Sequence, residues 1–254
     1  MQQIILPYRG EFGHKIMTYV PTIHGFDSPK KIVCCEPGEE CLYPSATKII
    51  IVDRMLDKNR REKMHHDENF HEELTATLRK DYPKAEIKKS FNRKKKYFIP
   101  KPTETNNISC DVVICPRYRK YGVAKNWKLW KELDVELSKK YKVFAAGAAD
   151  SSGEIVSPAS WSYERFLDAS IEGMLSSKVV IATDTGLGYL ALLCGKPLIL
   201  ISSDGKTCPS YKKISLKRFQ GVNHMKMNID IVDAWTDIKN ILISVDKEFQ
   251  NENK

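Results

Sequence analysis

The stretch 179-VVIATDTGLGYLALLCGKPLILI-201 consists of three apolar runs separated by two short breaks. It predicts a buried strand over 179–183, an apolar helix over 186–195 and a second buried strand over 197–203. A strand, a helix and a further strand form the repeating unit of a doubly wound α/β sheet, in which ligands bind beyond the carboxyl ends of the strands. We therefore expect the loop 184–188 to lie at a ligand-binding edge.

This loop has the features of an anion site. The first N–H groups of a helix have no partner within the helix, and they carry the positive end of its dipole. Gly186 and Gly188 would let a phosphate approach the backbone, and Asp184 would accept hydrogen bonds from ligand hydroxyls or cap the helix. The alternative is that Asp184 or Thr185 only caps a buried helix and the glycines allow tight packing. The loop does not match the dinucleotide fingerprint Gly-x-Gly-x-x-Gly.

Strands and helices alternate through the rest of the C-terminal half. Strands are predicted over 111–116 and 142–148, and a helix over 166–177. A second helix, over 126–141, is amphipathic, and its apolar face carries Trp127, Trp130, Leu133 and Leu137. This order predicts a parallel sheet with helices on both faces.

The N-terminal half shows the same alternation. Strands are predicted over 4–8, 30–37 and 46–53. Helices are predicted from Lys15 to about Val20 and late in a long charged segment, where the apolar residues Phe70, Leu74 and Leu78 have helical spacing.

A basic, proline-bearing segment over 93–107 has the composition of a linker. The fold class is therefore predicted to be α/β, with two Rossmann-like doubly wound domains and a cleft between them. The expected boundaries are 1–105 for the N-terminal domain and 106–228 for the C-terminal domain. Helical spacing over 229–249 predicts a C-terminal helix in 229–254 that could pack back on the N-terminal domain.

Composition indicates a soluble cytoplasmic protein. No apolar run approaches the roughly 20 residues of a membrane span, and the N-terminus lacks the pattern of a signal peptide. The seven cysteines include no Cys-x-x-Cys pair and are expected to be buried free thiols. His65, His66 and His71 could hold a metal, but a solvated helix start is the favoured interpretation, so no metal site is predicted.

The formal net charge is +9, and much of the excess lies in segments 84–102 and 211–219. Such segments attract phosphates of any kind, including nucleic acid, or are solvated surface. A basic loop after the strand 111–116 carries Arg117, Arg119, Lys120 and Lys125. These cations could neutralise a diphosphate.

Three motifs in this order resemble the nucleotide-sugar domain of GT-B glycosyltransferases, in particular the lipopolysaccharide heptosyltransferase group (glycosyltransferase family 9). The Lys-x-Trp of that family is matched by residues 125–127, and its Asp-(Thr/Ser)-Gly-x-x-His-Leu-Ala run by residues 184–191. A Gly-x-Pro before the next strand is matched by residues 195–197. The resemblance covers about 111–203.

The resemblance implies roles for the donor-site residues. Lys125 would contact the donor diphosphate, the amides of Thr185, Gly186 and Leu187 its phosphates, and Asp184 the sugar hydroxyls. Arg117, Arg119 and Gly188 belong to the same predicted donor site. Tyr189 stands where the family has histidine, and the family's acidic residue after the next strand is not evident in 145–153.

The resemblance also points to a catalytic base near the N-terminus. The first strand of the family ends in a turn with Gly-Asp, and alignment of 10–26 on this turn puts Gly13 on the glycine and His14 on the aspartate. Glu11 lies beside it. Either side chain could remove the proton of an attacking hydroxyl, or neither has a catalytic duty.

These observations predict a metal-independent glycosyltransferase that needs no cofactor besides its nucleotide-sugar substrate. The N-terminal domain would bind the acceptor and the C-terminal domain the donor. The acceptor is expected to be polyanionic, either a modified DNA base or a phosphorylated glycan or lipid. Two alternatives remain open, a sugar-nucleotide epimerase of the same fold and a non-catalytic nucleotide- or nucleic-acid-binding module.

Overall fold

The computed structural model divides the chain into two units, Met1–Phe98 and Ile99–Lys254. It describes residues 2–8, 12–52, 68–89, 95–117, 127–147, 154–201, 216–232 and 237–251. The change of unit at Phe98 falls inside the segment predicted to be a linker. The predicted cleft between two domains stays a prediction.

The first unit is a four-stranded parallel sheet in the order β3-β2-β1-β4. Its strands are β1 (Gln3–Ile5), β2 (Lys31–Cys35), β3 (Lys48–Ile51) and β4 (Glu86–Lys88). Helical segment α1 connects β1 to β2 and consists of Phe12–His14, Lys15–Tyr19 and Val20–His24. Helix α2 (Glu68–Asp81) precedes β4.

The middle part of α1, Lys15–Tyr19, is a π-helix that ends where the amide of Val20 donates to the carbonyl of Lys15. Pro21 follows and has no N–H, so it cannot donate to the carbonyl of Met17. The Nζ of Lys95 donates to that carbonyl instead, at 3.0 Å. π-Helical stretches are rare, and many of them lie at functional sites.

One part of the core of the first unit lies between the sheet and α2. Alternate apolar residues of β1 and β2 face α2, and Phe70 and Leu78 of α2 pack against them. The residues between them, Ile5, Val33 and Cys35, are also fully buried, on the other face of the sheet. The buried members of this core are Ile4, Leu6, Ile32, Cys34, Val52, Phe70 and Leu78. The helical spacing predicted for Phe70 and Leu78 is confirmed.

The second unit is a five-stranded parallel sheet in the order β6-β5-β7-β8-β9. Its strands are β5 (Val112–Cys115), β6 (Val143–Ala145), β7 (Val179–Thr183), β8 (Leu198–Ile201) and β9 (Ile229–Val232). Its labelled helices are α3 (Trp130–Ser138), α4 (Phe166–Ser176), α5 (Gly186–Leu193) and α6 (Lys239–Asn251). The predicted α/β class and the predicted strands of this half are confirmed.

The predicted apolar face of α3 is buried in the core of the second unit. Trp127, Trp130, Leu133 and Leu137 are each no more than 5% exposed. The rings of Trp127 and Trp130 meet edge to face, with centroids 5.0 Å apart. These side chains pack with residues of β5, β6, β7 and β8.

The C-terminal segment differs from the sequence prediction. Residues Ile229–Val232 form a strand and not the start of a helix, because the Ile-Asp-Ile-Val run pairs with the open edge of β8, where Leu198 lies opposite Ile229. The helix begins only at Lys239, and its residues Ile241 and Val245 are fully buried in the core of the second unit. This apolar face is therefore used within the second unit, and the packing of 229–254 on the N-terminal domain stays a prediction.

The segment before β5 lies along α4. Asp168, Glu172 and Ser176 are spaced four residues apart on one face of that helix. Asp168 accepts from the hydroxyl of Thr103 at 2.6 Å, and the hydroxyl oxygen of Ser176 accepts from the amide of Cys110 at 3.3 Å. Between them, the Glu172 carboxylate accepts from the amides of residues 106 and 108, at 2.7 and 2.9 Å. The second half of the predicted linker is thus tied to the second unit.

The six cysteines in the described part of the chain are buried free thiols, as predicted. Burial raises the pKa of Cys34 and of Cys194 to about 12. Within the described residues, no helix is long and apolar enough to cross a membrane.

Replacing Glu172 by alanine should destabilise the second unit. The substitution removes an acceptor of two amide hydrogen bonds, so the free energy of unfolding should fall by about 1–3 kcal/mol. Urea denaturation followed by tryptophan fluorescence measures this change, since all four tryptophans belong to the second unit.

The control is Glu136→Ala. Glu136 makes an exposed ion pair with Lys139 at 2.6 Å, one turn apart on a helix end. Pairs of this kind contribute at most about 0.5 kcal/mol. Equal losses in the two variants would show that the contacts of Glu172 do not hold the segment 103–110.

Candidate functional site

The candidate site lies at the carboxyl ends of β5 and β7 in the second sheet. At this point successive strands stop being added on one side of β5 and start being added on the other side. After β5 the chain adds β6 on one side, and then returns past β5 to add β7 on the other side. In doubly wound sheets, ligands bind outside the carboxyl ends of the strands at such a point. Ile114 pairs with Ile181 and Cys115 with Ala182, so the two strands end at the same level.

The first turn of α5 begins at this edge. Thr185 precedes the helix in an extended conformation (φ −138°, ψ 167°), and its side chain does not cap the helix. The first hydrogen bond of the turn runs from the amide of Gly188 to the carbonyl of Thr185, at 3.1 Å. Within the described residues the amides of Gly186 and Leu187 have no acceptor, and neither does the buried hydroxyl of Thr185. The turn therefore offers three unused donors to an anion.

Asp184 lies directly before this turn and is only 7% exposed. The hydroxyl of Tyr189, one turn later in α5, donates to its Oδ1 at 3.1 Å. Tyr189 is itself buried and stacks on Phe219, with ring centroids 4.2 Å apart. Tyr189, which stands where the family that the sequence resembles has histidine, thus donates a hydrogen bond that orients the carboxylate of Asp184.

Gly188 fills a packing role. It is buried, and a Cβ at this position would lie 2.9 Å from Cε1 of Phe219 and 3.5 Å from Cβ of Ala182. Phe219 belongs to a short helix over 216–220 and is fully buried. The packing interpretation that the sequence left open therefore has direct structural support at Gly188.

The end of β6 also reaches this edge, at a residue that sequence reasoning missed. Gly147 has φ 150°, a conformation that favours glycine. Its N–H donates to the hydroxyl oxygen of Ser160, and that hydroxyl donates to its carbonyl, both at 2.8 Å. A Cβ at Gly147 would lie 3.6 Å from Leu187 and 3.8 Å from the carbonyl of Pro116. The signal that could have found it is a glycine near the end of the predicted strand 142–148.

The basic residues of the predicted donor site fall partly outside the described residues. Arg117 is half-buried and follows β5 by two residues. Arg119 and Lys125 lie outside the described residues, as does Lys120. Trp127, two residues after Lys125, is fixed in the core.

The first unit has an equivalent change of direction between β1 and β4. His14 follows β1, and its side chain is exposed. Its Nδ1 lies 2.6 Å from the hydroxyl oxygen of Tyr8, and the two rings are stacked with centroids 5.5 Å apart. Glu11, the other predicted base, lies outside the described residues.

Three histidines, His65, His66 and His71, are a possible metal site on sequence grounds. Of these, His71 lies within the described residues, and His65 and His66 lie outside them. The Nε2 of His71 lies 3.2 Å from the carbonyl oxygen of Pro7, a group that can only accept, so this nitrogen carries the proton. Within the described ranges, no three His, Cys, Asp or Glu side chains are close enough to share a metal ion.

The structure is similar to solved glycosyltransferases. The ADP-heptose lipopolysaccharide heptosyltransferase II of E. coli matches with a TM-score of 0.58 and 13% identity, over 100% of both chains. A glycosyl transferase of family 9 from Veillonella parvula matches with a TM-score of 0.53 and 11% identity, over 98% of this chain and 95% of the other. The E. coli heptosyltransferase WaaC with ADP-2-deoxy-2-fluoro heptose matches with a TM-score of 0.51 and 15% identity, over 100% of both chains.

At these identities the similarity shows the fold, which is that of GT-B glycosyltransferases. The resemblance inferred from residues 111–203 is therefore confirmed for the fold, and it extends over the whole chain. Neither a protein-family model nor a curated protein matches this sequence.

Replacing Gly188 by alanine should destabilise the second unit through Phe219. The added methyl group would overpack the contact at 2.9 Å and should cost about 1–3 kcal/mol of unfolding free energy. The double variant Gly188→Ala/Phe219→Leu should lose less than the two single variants together, because the smaller side chain leaves room. Thermal denaturation of the four proteins measures this coupling, and strictly additive losses would contradict the packing role.

Proposed function

We propose that this protein is a glycosyltransferase that moves a sugar from a nucleotide-sugar donor to an acceptor hydroxyl. The observation that carries the proposal is the first turn of α5, where the amides of Gly186 and Leu187 and the hydroxyl of Thr185 have no partner within the described residues. These donors lie at the point of the sheet where ligands of this fold class bind. The GT-B fold of the structural neighbours supports the reaction class.

The donor would be held by its diphosphate. The unused amides and the hydroxyl of Thr185 would bind phosphate oxygens, and Asp184 would accept from sugar hydroxyls. Lys125, with Arg117 and Arg119, would neutralise the charge that develops as the diphosphate leaves. Preplaced donors and cations can stabilise that charge without a metal ion, and the reaction needs no cofactor besides the donor.

The first unit would bind the acceptor and supply the base. His14 or Glu11 would remove the proton of the acceptor hydroxyl as it attacks the anomeric carbon. We place the enzyme in the cytoplasm, because free buried thiols are usual in a reducing compartment.

Binding of a nucleotide sugar should raise the melting temperature of the protein, and a panel of such compounds would identify the donor. Gly186→Pro should then weaken binding of that donor about 10- to 100-fold, because proline removes one of the unused amides. Proline fits the first position of a helix, and the extended Thr185 is compatible with a following proline, so the unliganded protein should stay folded.

The control is Gly186→Ala, which adds a side chain but keeps the amide, and which should weaken binding much less. Equal donor affinities of the proline and alanine variants would show that the amide of Gly186 does not bind the donor. Release of an altered sugar nucleotide in the absence of acceptor would indicate an epimerase. A protein that neither binds nor turns over any nucleotide sugar would contradict the proposed function.

The acceptor is proposed to be polyanionic, on the basis of the +9 charge. A modified base in DNA predicts that the protein binds duplex DNA at low salt and that the affinity falls steeply as salt is added. A gel-shift titration at several salt concentrations measures this dependence. Absence of binding at low salt would eliminate DNA and leave a phosphorylated glycan or lipid.

A further inference from the structure

Three aromatic side chains surround the carboxyl end of β1. The ring of Tyr8 contacts the ring of His14, with centroids 5.5 Å apart at an interplanar angle of 25°. It also contacts the ring of Tyr19, with centroids 5.1 Å apart. The cluster thus joins the turn after β1 to the π-helical part of α1.

The parts of this cluster around Tyr8 are fixed. The hydroxyl of Tyr19 donates to the carbonyl of Leu6, and burial raises the pKa of Tyr19 well above its ordinary value, so the phenol keeps its proton. Pro7 is buried, and its carbonyl accepts from His71. The backbone just before Tyr8 is therefore held at the carbonyls of Leu6 and Pro7, and the ring of Tyr8 has aromatic contacts with His14 and Tyr19.

The hydrogen bond between Tyr8 and His14 decides which nitrogen of the imidazole can act as a base. A neutral imidazole carries one proton, on Nδ1 or on Nε2. When Nδ1 carries it and donates to the oxygen of Tyr8, Nε2 keeps its lone pair. When Tyr8 donates to Nδ1, Nε2 carries the proton and cannot accept another. The 2.6 Å separation is compatible with both arrangements.

We propose that Tyr8 is a positioning residue for His14 and accepts its Nδ1–H, the one of the two arrangements in which Nε2 stays unprotonated and can take a proton from the acceptor hydroxyl. This inference rests on the proposed function and on His14 as the base. In the reaction, Nε2 takes the hydroxyl proton while the acceptor oxygen bonds to the anomeric carbon. The bond from that carbon to the diphosphate breaks, and the diphosphate leaves with the electron pair. The imidazolium keeps its Nδ1–H bond to Tyr8 and later releases the Nε2 proton to water.

Nitrogen NMR of the full chain labelled at histidine tests the proposal directly, because the shifts of the two ring nitrogens report which one is protonated. The chain has six histidines, and the signal of His14 is the one that disappears in His14→Ala. In the wild-type protein with a neutral His14 ring, the proton should be on Nδ1. In Tyr8→Phe, which keeps the ring but loses the oxygen, the proton should shift towards Nε2.

Kinetics give the second readout. With an identified donor, Tyr8→Phe should lower kcat about 10-fold and leave the donor KM within about twofold, since one hydrogen bond orients the base and does not touch the donor. His14→Ala should lower kcat about 100-fold or more. The matched control is Tyr82→Phe at the opposite edge of the same sheet, where the hydroxyl accepts from Lys48 Nζ at 2.7 Å. That variant should retain wild-type kcat.

The outcomes separate this inference from the proposed function. A wild-type His14 that is protonated on Nε2, or a Tyr8→Phe variant with unchanged tautomer and kcat, overturns the positioning role even if sugar transfer is found. Full activity of His14→Ala overturns His14 as the base. If no nucleotide sugar is turned over, the tautomer of wild-type His14 still decides the role of Tyr8.

Discussion

The arrangement of both candidate sites depends on one constraint of parallel sheets, the place where strand addition changes direction. A right-handed crossover that adds a strand on one side of β5 or β1 puts its helix on one face, and a crossover on the other side puts its helix on the opposite face. Ligands of such sheets bind outside the carboxyl ends of the strands at this point. The residues selected from the sequence for their chemistry follow β1 and β5 or lie after β7, the neighbour of β5.

The polar groups in the first turn of α5 fall into two sets, those bonded within the fold and those without a partner in the described residues. The amides of Gly188 and Tyr189 donate back to the carbonyl of Thr185, and Phe219 packs on the same turn. The amides of Gly186 and Leu187 and the hydroxyl of Thr185, which come before them, have no such partner in the described part of the chain. A buried polar group without a partner costs about 1–3 kcal/mol, and proteins retain such groups mainly where a ligand or water completes them. The turn is thus anchored at its C-terminal side and open at its N-terminal side.

Much of the fold could be predicted from the sequence because the second unit is built from long apolar runs with clear breaks. Residues 179–203 gave a strand, a helix and a strand at nearly the observed bounds, and the Trp127–Leu137 face was correctly assigned to the core. The strand Ile229–Val232 was missed because its isoleucine spacing continues into that of α6, and only the open edge of β8 selects the extended form. Gly147 and Tyr8 were missed because their roles arise from contacts with Ser160 and His14 that sequence spacing does not reveal.

Tyr189 stands where the glycosyltransferase family that the sequence resembles has histidine, and this difference has a chemical consequence for Asp184. An imidazole changes charge near neutral pH, so its hydrogen bond to a carboxylate varies with pH, whereas a phenol ordinarily keeps its proton far above that range. Tyr189 is buried against Phe219 and has its hydroxyl on Oδ1 of Asp184, so this donor is constant. One oxygen of Asp184 is then committed to the protein, and its orientation is fixed before any ligand arrives. A carboxylate held in this way loses little side-chain entropy when it binds a hydroxyl, so the sugar contact proposed for Asp184 would be preformed and not assembled on binding.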